Sequence, residues 1–304
     1  MTLFFSSLAS IFSTPYYFGL MLNTASIFMC TSFSAALCIK SGEFNLGAEG
    51  QIYTGGFICA IFLEAFKNLN PILALTIVFL LAAVSSGTIA LISALLKKYR
   101  NASFLLTSFI ISAAIVPLID GLISGPFRNT SVNLLSTAFI SKKFRLPQLL
   151  PPSPLNPFIF VTIVLCLLGG LLLYKTDFGK KIRIFGIAPE FAAYSGFSEK
   201  TILFSVSFLS GSLNGIAGAA AVAGTYFTCH KGFAAAFGWN ALSAAMIANS
   251  NPFLLIPSSV FLSIVLTAAD KTSLFSNSGF DISSLIQAVI LFLISIPFFR
   301  RRQK

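Results

Sequence analysis

Two carboxylates, an asparagine, a glutamine and three glycines are packed into Ser41-Gly42-Glu43-Phe44-Asn45-Leu46-Gly47-Ala48-Glu49-Gly50-Gln51. Apolar runs flank this stretch with almost no spacer. Charge is costly at membrane depth, so carboxylates between such runs are candidates for handling a substrate or an ion. Glycine lets the backbone leave helical geometry, and broken helices with open backbone groups mark substrate sites in transporters. A tight turn at the cytoplasmic face, with Lys40 and Glu43 solvated, would use the same residues. Composition supports both readings equally.

A second stretch lies in the other half. Residues 225–240 hold the only His, His230, and the only Trp, Trp239, together with Phe233, Phe237 and Asn240. Interrupted segments in matching places of two halves point to a binding site. Both stretches combine Phe, Gly and an amide before a small-residue helix, which raises the expectation of an internal pseudo-repeat. Trp239 equally fits an interfacial belt, and His230-Lys231 fits a solvated loop end.

Other chemistry finds little support. There is no G-x-x-x-x-G-K-[ST], no H-E-x-x-H and no G-x-S-x-G. The lone His has no acidic neighbour in sequence, so a membrane-embedded acid–base enzyme is disfavoured. No catalytic residue and no metal ligand is expected. Asp120, Asp270 and Asp281 lie near run ends and read as solvated. Cys30, Cys38, Cys59, Cys166 and Cys229 lack metal or disulfide spacing and read as free thiols, mostly in apolar runs.

The elements that position these residues must be membrane helices. Of 304 residues, 56% are apolar and 10% charged, against about 25% charged in a soluble domain. The mean hydropathy is +0.89. Apolar runs cover 17–39, 46–66, 72–96, 102–123, 158–174, 202–224, 237–248, 253–269 and 282–299, with a short one at 3–13. The fold expected is all-α: a single polytopic transmembrane bundle over 1–304, with about eight to ten spans and broken helices. The run 237–248 is short enough for a half-helix. Continuous runs exclude an outer-membrane barrel. Residues 1–14 show no basic n-region and no cleavage site, so no cleaved signal is expected.

The net charge is +11, but the basic residues sit in short loops and form no nucleic-acid patch. Lys97, Lys98 and Arg100, then Lys175, Lys180, Lys181, Arg183 and Lys200, then Arg300, Arg301, Arg302 and Lys304 are twelve of the 20. They are expected in the cytoplasm, the C-terminus with them. Alternation then puts the long proline-rich loop 125–157 outside, although it carries Arg128, Lys142, Lys143 and Arg145. The stretch 175–200 is too polar to span. Pro189 and Glu190 suit a helix start and Gly196 a stop, so it carries a short helix fit for docking a soluble partner.

These residues are familiar as a set. Phe44-Asn45-Leu46-Gly47-Ala48-Glu49-Gly50-Gln51 resembles the signature of nucleoside-type permeases of ATP-binding-cassette (ABC) importers, relatives of the ribose and branched-chain amino acid permeases. Thr176–Arg183 with Gly186, Glu190, Ala192, Ala193 and Gly196 resembles that family's coupling loop. Ser207–Ala219 resembles the span after it, and Gly238–Pro252 the later small-residue helix. The resemblance runs in order from about residue 17 to 299. It implies a permease subunit without its own ATPase or cofactor, in the cytoplasmic (inner) membrane. ATP-binding subunits, acting with ATP and Mg, would dock on 175–200 through Phe178, Gly179, Arg183, Gly186, Glu190, Ala193 and Gly196. A second permease, identical or different, would complete the core in membrane lipid, and an extracytoplasmic substrate-binding protein would deliver the solute. Glu43, Phe44, Asn45, Glu49, Gln51, Phe233, Phe237, Trp239 and Asn240 would line a path suited to a planar base or flavin-like ring. A nucleoside comes first, then riboflavin, then a simple sugar. A stand-alone secondary transporter is the rival reading, with Glu43 and Glu49 as its only plausible coupling pair.

Overall fold

The computed structural model describes residues 2–275 and 284–293. The expected solvated Asp281 and the basic tail Arg300–Lys304 lie outside them. The described chain is all-α, with helices α1 (Thr2–Ser13), α2 (Pro15–Lys40), α3 (Ala48–Ala65), α4 (Pro71–Arg100), α5 (Phe104–Ser124), α6 (Phe158–Lys175), α7 (Asp177–Ile187), α8 (Pro189–Tyr194), α9 (Glu199–Ala221), α10 (Phe237–Ile247), α11 (Pro252–Phe275) and α12 (Ser284–Leu293). Six of them are long and apolar enough to cross a bilayer. Helix α10 has 11 residues, about 16 Å at helical rise, half of a hydrocarbon core about 30 Å thick.

Local signals set the boundaries. Prolines open α2, α4 and α8, where a missing N–H costs nothing. Asn70 caps α4 by accepting from the Ile72 N–H at 3.0 Å, and Asn101 closes it in the left-handed region at φ 52°. Thr176 and Ser198 cap α7 and α9 through the N–H groups of Gly179 and Thr201.

The centre is the α3–α4–α9 packing, with α2 beside it. Side chains that meet there are small, and backbones approach directly. A Cβ on Gly55 would strike the Gly215 backbone, one on Gly218 the Ile52 carbonyl, and one on Gly211 the Ser86 carbonyl. Close approach of this kind is how helices associate in lipid, where burial of apolar surface gives no drive. By contrast α4, α5 and α6 turn Leu80, Ile110, Leu118 and Phe160 outward, faces suited to lipid.

Two ends are distinct. Lys97 pairs with Glu43, and Lys98 with Glu199 at 2.6 Å. Helix α7 lies at the same end, its Gly186 against the Lys40 carbonyl. We call this the basic end. At the other end, the segment between α5 and α6 is an ordered cap, a structure its proline content did not announce. The N–H groups of Thr137 and Ile140 bond the carbonyls of Cys229 and Phe227 at 3.0 and 2.8 Å, and Lys231 N–H bonds the Leu135 carbonyl at 2.9 Å. Ser136, Ile140, Phe144 and Asn156 of this cap are buried.

Candidate functional site

Helix α9 does not end cleanly. It passes into a single π-helical turn, Val222–Tyr226, and Phe227 follows in the left-handed region at φ 57°. Such turns insert an extra residue and often mark functional sites. The chain then folds back into the bundle and starts α10 within it. The turn, the returning segment and α10 form one side of a cavity of about 390 Å³. Helices α2, α11 and α12 form the rest.

The lining mixes flat apolar surface with uncharged polar groups. Phe28 of α2 and Phe237 of α10 meet edge to face, with ring centroids 6.1 Å apart, and Tyr226 stands beside them. Asn23, Thr24, Thr225, Asn240, Thr267 and Gln287 supply amides and hydroxyls, and Asp270 supplies one carboxylate. Asn23 is fixed. It donates to Thr225 Oγ1 at 2.8 Å and accepts from the Asn156 amide at 2.8 Å. Pockets of this size and mixture take small organic solutes.

Glu49 and Tyr53 hold the returning segment in place. Glu49 Oε1 accepts the Ala236 N–H at 2.8 Å, just where Ala236 sits at φ 67°. Tyr53 accepts the Gly232 N–H at 3.2 Å and donates to Asp120. Asp120 is thus partnered within the bundle, where the sequence reading had it solvated. Asp270 is exposed at the cavity.

The residues read from sequence as path-lining separate into several places. Phe237 and Asn240 line the cavity. Glu49 and Phe233 stand behind it: Phe233 packs on Tyr53, Tyr226 and His230 at 5.3–5.9 Å between centroids. His230 is half-buried among these rings, and burial lowers its pKa, so it is neutral at pH 7. Asn45 and Gln51 belong to a buried polar knot. The Asn45 amide donates to Gln51 Oε1 and Ser210 Oγ at 3.0 and 2.9 Å, Asn214 donates to Gln51 Oε1 at 2.8 Å, and Ser86 donates to the Gln51 carbonyl at 2.8 Å. Glu43 is at the basic end with Lys97. Phe44 and Trp239 are half-buried, outside the cavity lining.

Sequence reasoning missed Asn23, Thr24, Thr225, Tyr226, Thr267 and Gln287. The available signal was Asn23-Thr24 one turn before Phe28 in a long apolar run. A search led by charge and glycine passes over it.

The residues read as coupling form a second site at the basic end. A Cβ on Gly179 would meet the Leu172 carbonyl, which presses α7 against α6. Phe178 packs on the core, and the Arg183 guanidinium lies 5.1 Å from the Tyr174 ring centroid. Gly186 abuts Lys40 and Gly42. These four anchor α7. Glu190, Ala193 and Gly196 are exposed, Gly196 at φ 77°. Next to them, and unread in the sequence, Ile187, Phe191 and Tyr194 are 86%, 61% and 92% exposed.

Comparison with known proteins agrees with this architecture. A family described as the permease component of branched-chain amino acid transport systems matches residues 17–295. A protein named a probable riboflavin import permease, from Treponema pallidum (strain Nichols), is 33% identical over 93% of this chain and 75% of its own length. A glucose ABC transporter permease of Haloferax volcanii is 25% identical over 87% of this chain and 72% of its own. A nucleoside ABC transporter permease of Lactococcus lactis subsp. cremoris is 23% identical over 97% and 82%. A solved chain described as an ABC transporter of metal-chelate type, in an inward-facing conformation, shares the fold with a TM-score of 0.51 at 16% identity, covering 92% of this chain and 85% of that one. The chain is therefore a multi-pass membrane protein that belongs to the family of branched-chain amino acid transport system permease components, as the permease subunit of an ABC transporter.

Proposed function

We propose that this subunit forms the membrane path of an ATP-driven importer for a planar ring joined to a polyhydroxyl chain or sugar, the shape that riboflavin and nucleosides share. The observation that carries it is the cavity of about 390 Å³ faced by Phe28, Tyr226 and Phe237 and edged by amides and hydroxyls. Rings stack on the aromatic faces, and the polar rim takes the ring edge and the hydroxyls. Riboflavin ranks ahead of nucleosides because the 33% identical relative carries that name. A bare sugar ranks third.

The positions of the basic residues, the exposure of α8 and the family to which the chain belongs support the remaining assignments. The whole chain is one transmembrane domain. Its basic end, with 175–200 and the C-terminus, faces the cytoplasm, and 125–157 faces outward. ATP-binding subunits cover α8, a second permease completes the core, and a binding protein delivers solute to the outer end. ATP and Mg belong to the ATPase.

The test is uptake into proteoliposomes that hold the permease, its ATPase and its binding protein. Riboflavin uptake is expected to need ATP, to saturate, and to fall when excess nucleoside is added. Uptake that follows a proton gradient and ignores ATP would favour the stand-alone transporter.

Glu49 gives a sharper version of that contrast. As an anchor for Ala236 N–H it contributes about 1.5–3 kcal/mol, the range for a hydrogen bond to a charged group. Glu49→Ala is expected to cut uptake about tenfold at unchanged membrane abundance. Glu49→Gln keeps an acceptor oxygen and should retain most of the activity. A proton carrier would lose as much with Gln as with Ala.

A further inference from the structure

We propose that Asn240 reads the in-plane edge of the transported ring, and that it selects solutes with an N–H donor beside an acceptor, as in a lactam. The proposal rests on the cavity reading above. Two buried amides line the cavity, Asn23 at 2% exposure and Asn240 at 6%. They differ in what they have to spend. Asn23 uses both ends of its amide within the protein, on Thr225 and Asn156. Asn240 does not. Its Oδ1 is buried without a hydrogen-bond partner among the described residues. A buried carbonyl left this way costs about 1–3 kcal/mol, so native proteins pair almost all of them. Asn240 lines the cavity, and a solute bound there can supply that partner when the amide turns toward it.

The position of the group narrows what that partner is. Asn240 lies in the first turn of α10, with its N–H on the Ala236 carbonyl at 2.9 Å. Phe237 is three residues earlier, so the two side chains share a helix face, and both line the cavity. A ring stacked on Phe237 therefore turns its edge toward the Asn240 amide. A side-chain amide offers one acceptor and one donor side by side. It pairs in two antiparallel hydrogen bonds with an edge that shows N–H next to C=O. The isoalloxazine ring and the oxo-purine and oxo-pyrimidine bases carry such an edge. A glucose ring offers hydroxyls on all sides and no flat edge to register.

The test uses the full chain in lipid nanodiscs. Trp239 is the only tryptophan and adjoins Asn240, so riboflavin binding is read as quenching of its fluorescence, and nucleosides are read by displacement of riboflavin. Asn240→Leu is expected to weaken riboflavin about tenfold, the loss of one buried hydrogen-bonded edge. Asn240→Asp replaces donor and acceptor by two acceptors. It should weaken riboflavin and inosine but keep guanosine, whose N1–H and 2-amino group give a carboxylate two donors. The guanosine-to-inosine preference should rise about tenfold. This ratio is taken within one preparation, so a partly folded variant does not disturb it. Riboflavin affinity unchanged in Asn240→Leu, or a guanosine-to-inosine ratio unchanged in Asn240→Asp, overturns the assignment of Asn240 and leaves the cavity reading standing. Failure of the wild-type chain to bind any of the three solutes overturns both.

Discussion

Replacing Phe191 and Tyr194 together by Asp is expected to reduce ATP-driven uptake by about 100-fold, with membrane insertion and solute binding unchanged. Helix α8 has six residues, of which only Ala192 is buried. Its aromatics Phe191 and Tyr194 are exposed, and it follows α7, which carries the exposed Lys180 and Lys181 at the basic end. Exposed apolar groups gathered in one place mark an interaction site. Aromatic anchors at such sites are worth about 2 kcal/mol or more each, and two carboxylates added at the interface oppose docking further. Such values are not additive; a combined loss near 3 kcal/mol, less than their sum, is about 100-fold. The result is mechanical as well as energetic. Gly186 sets α7 directly against the Lys40 and Gly42 backbone, and Lys40 ends α2. The other half of that same 26-residue helix carries Asn23 and Phe28 in the cavity wall. A docked partner that moves α8 therefore acts on the cavity through one continuous helix. ATPase stimulation and uptake within twofold of wild type in the double variant would remove α8 from the coupling role.

The helices themselves were open to sequence reasoning because lipid imposes one rule on them. Backbone groups must be satisfied internally, so a span must be a run of about 20 apolar residues. The eight long runs and the half-helix run at α10 follow from that rule alone. The cavity was harder to see, and the reason is physical. Glu43, Glu49, Asn45 and Gln51 attract notice because polar groups are costly in a bilayer, but a polar group can be compensated in two ways. Asn45 and Gln51 are compensated by each other and by Ser210 and Asn214, more than 150 residues away. Such a knot holds helices together and presents little to a solute. Asn240 has its carbonyl uncompensated at the cavity wall, whereas that of Asn214 is enclosed in the knot, and no sequence pattern distinguishes the two conditions. The cap at 125–157 was hidden for a similar reason. Its bonds run to 223–231, and proline content reports local stiffness, not distant pairing.

Gly218→Val is expected to remove most folded protein from the membrane, the largest loss of stability from any single change considered for this chain. Helices in lipid gain little from burying apolar surface against one another, so association rests on close packing and interhelical hydrogen bonds. Along α9 the close packing is backbone against backbone. A Cβ at Gly218 meets the Ile52 carbonyl of α3, and one at Gly215 meets the Ala82 carbonyl of α4. A flexible side chain can rotate out of the way of an added methyl, but a helix carbonyl cannot. Overpacking in cores costs about 1–3 kcal/mol when neighbours can adjust. Where they cannot, about 4–5 kcal/mol is the reasonable scale, close to the whole stability of many domains. The damage would reach the site, because separation of α3 from α9 parts Gln51 from Asn214 and withdraws Glu49 from Ala236. Gly121→Val is the control. Gly121 lies on α5, and a Cβ there meets nothing within 4 Å, so the same chemical change should leave abundance and monodispersity in mild detergent at wild-type levels. Equal behaviour of the two variants would show that the α3–α9 seam yields more readily than its backbone contacts imply.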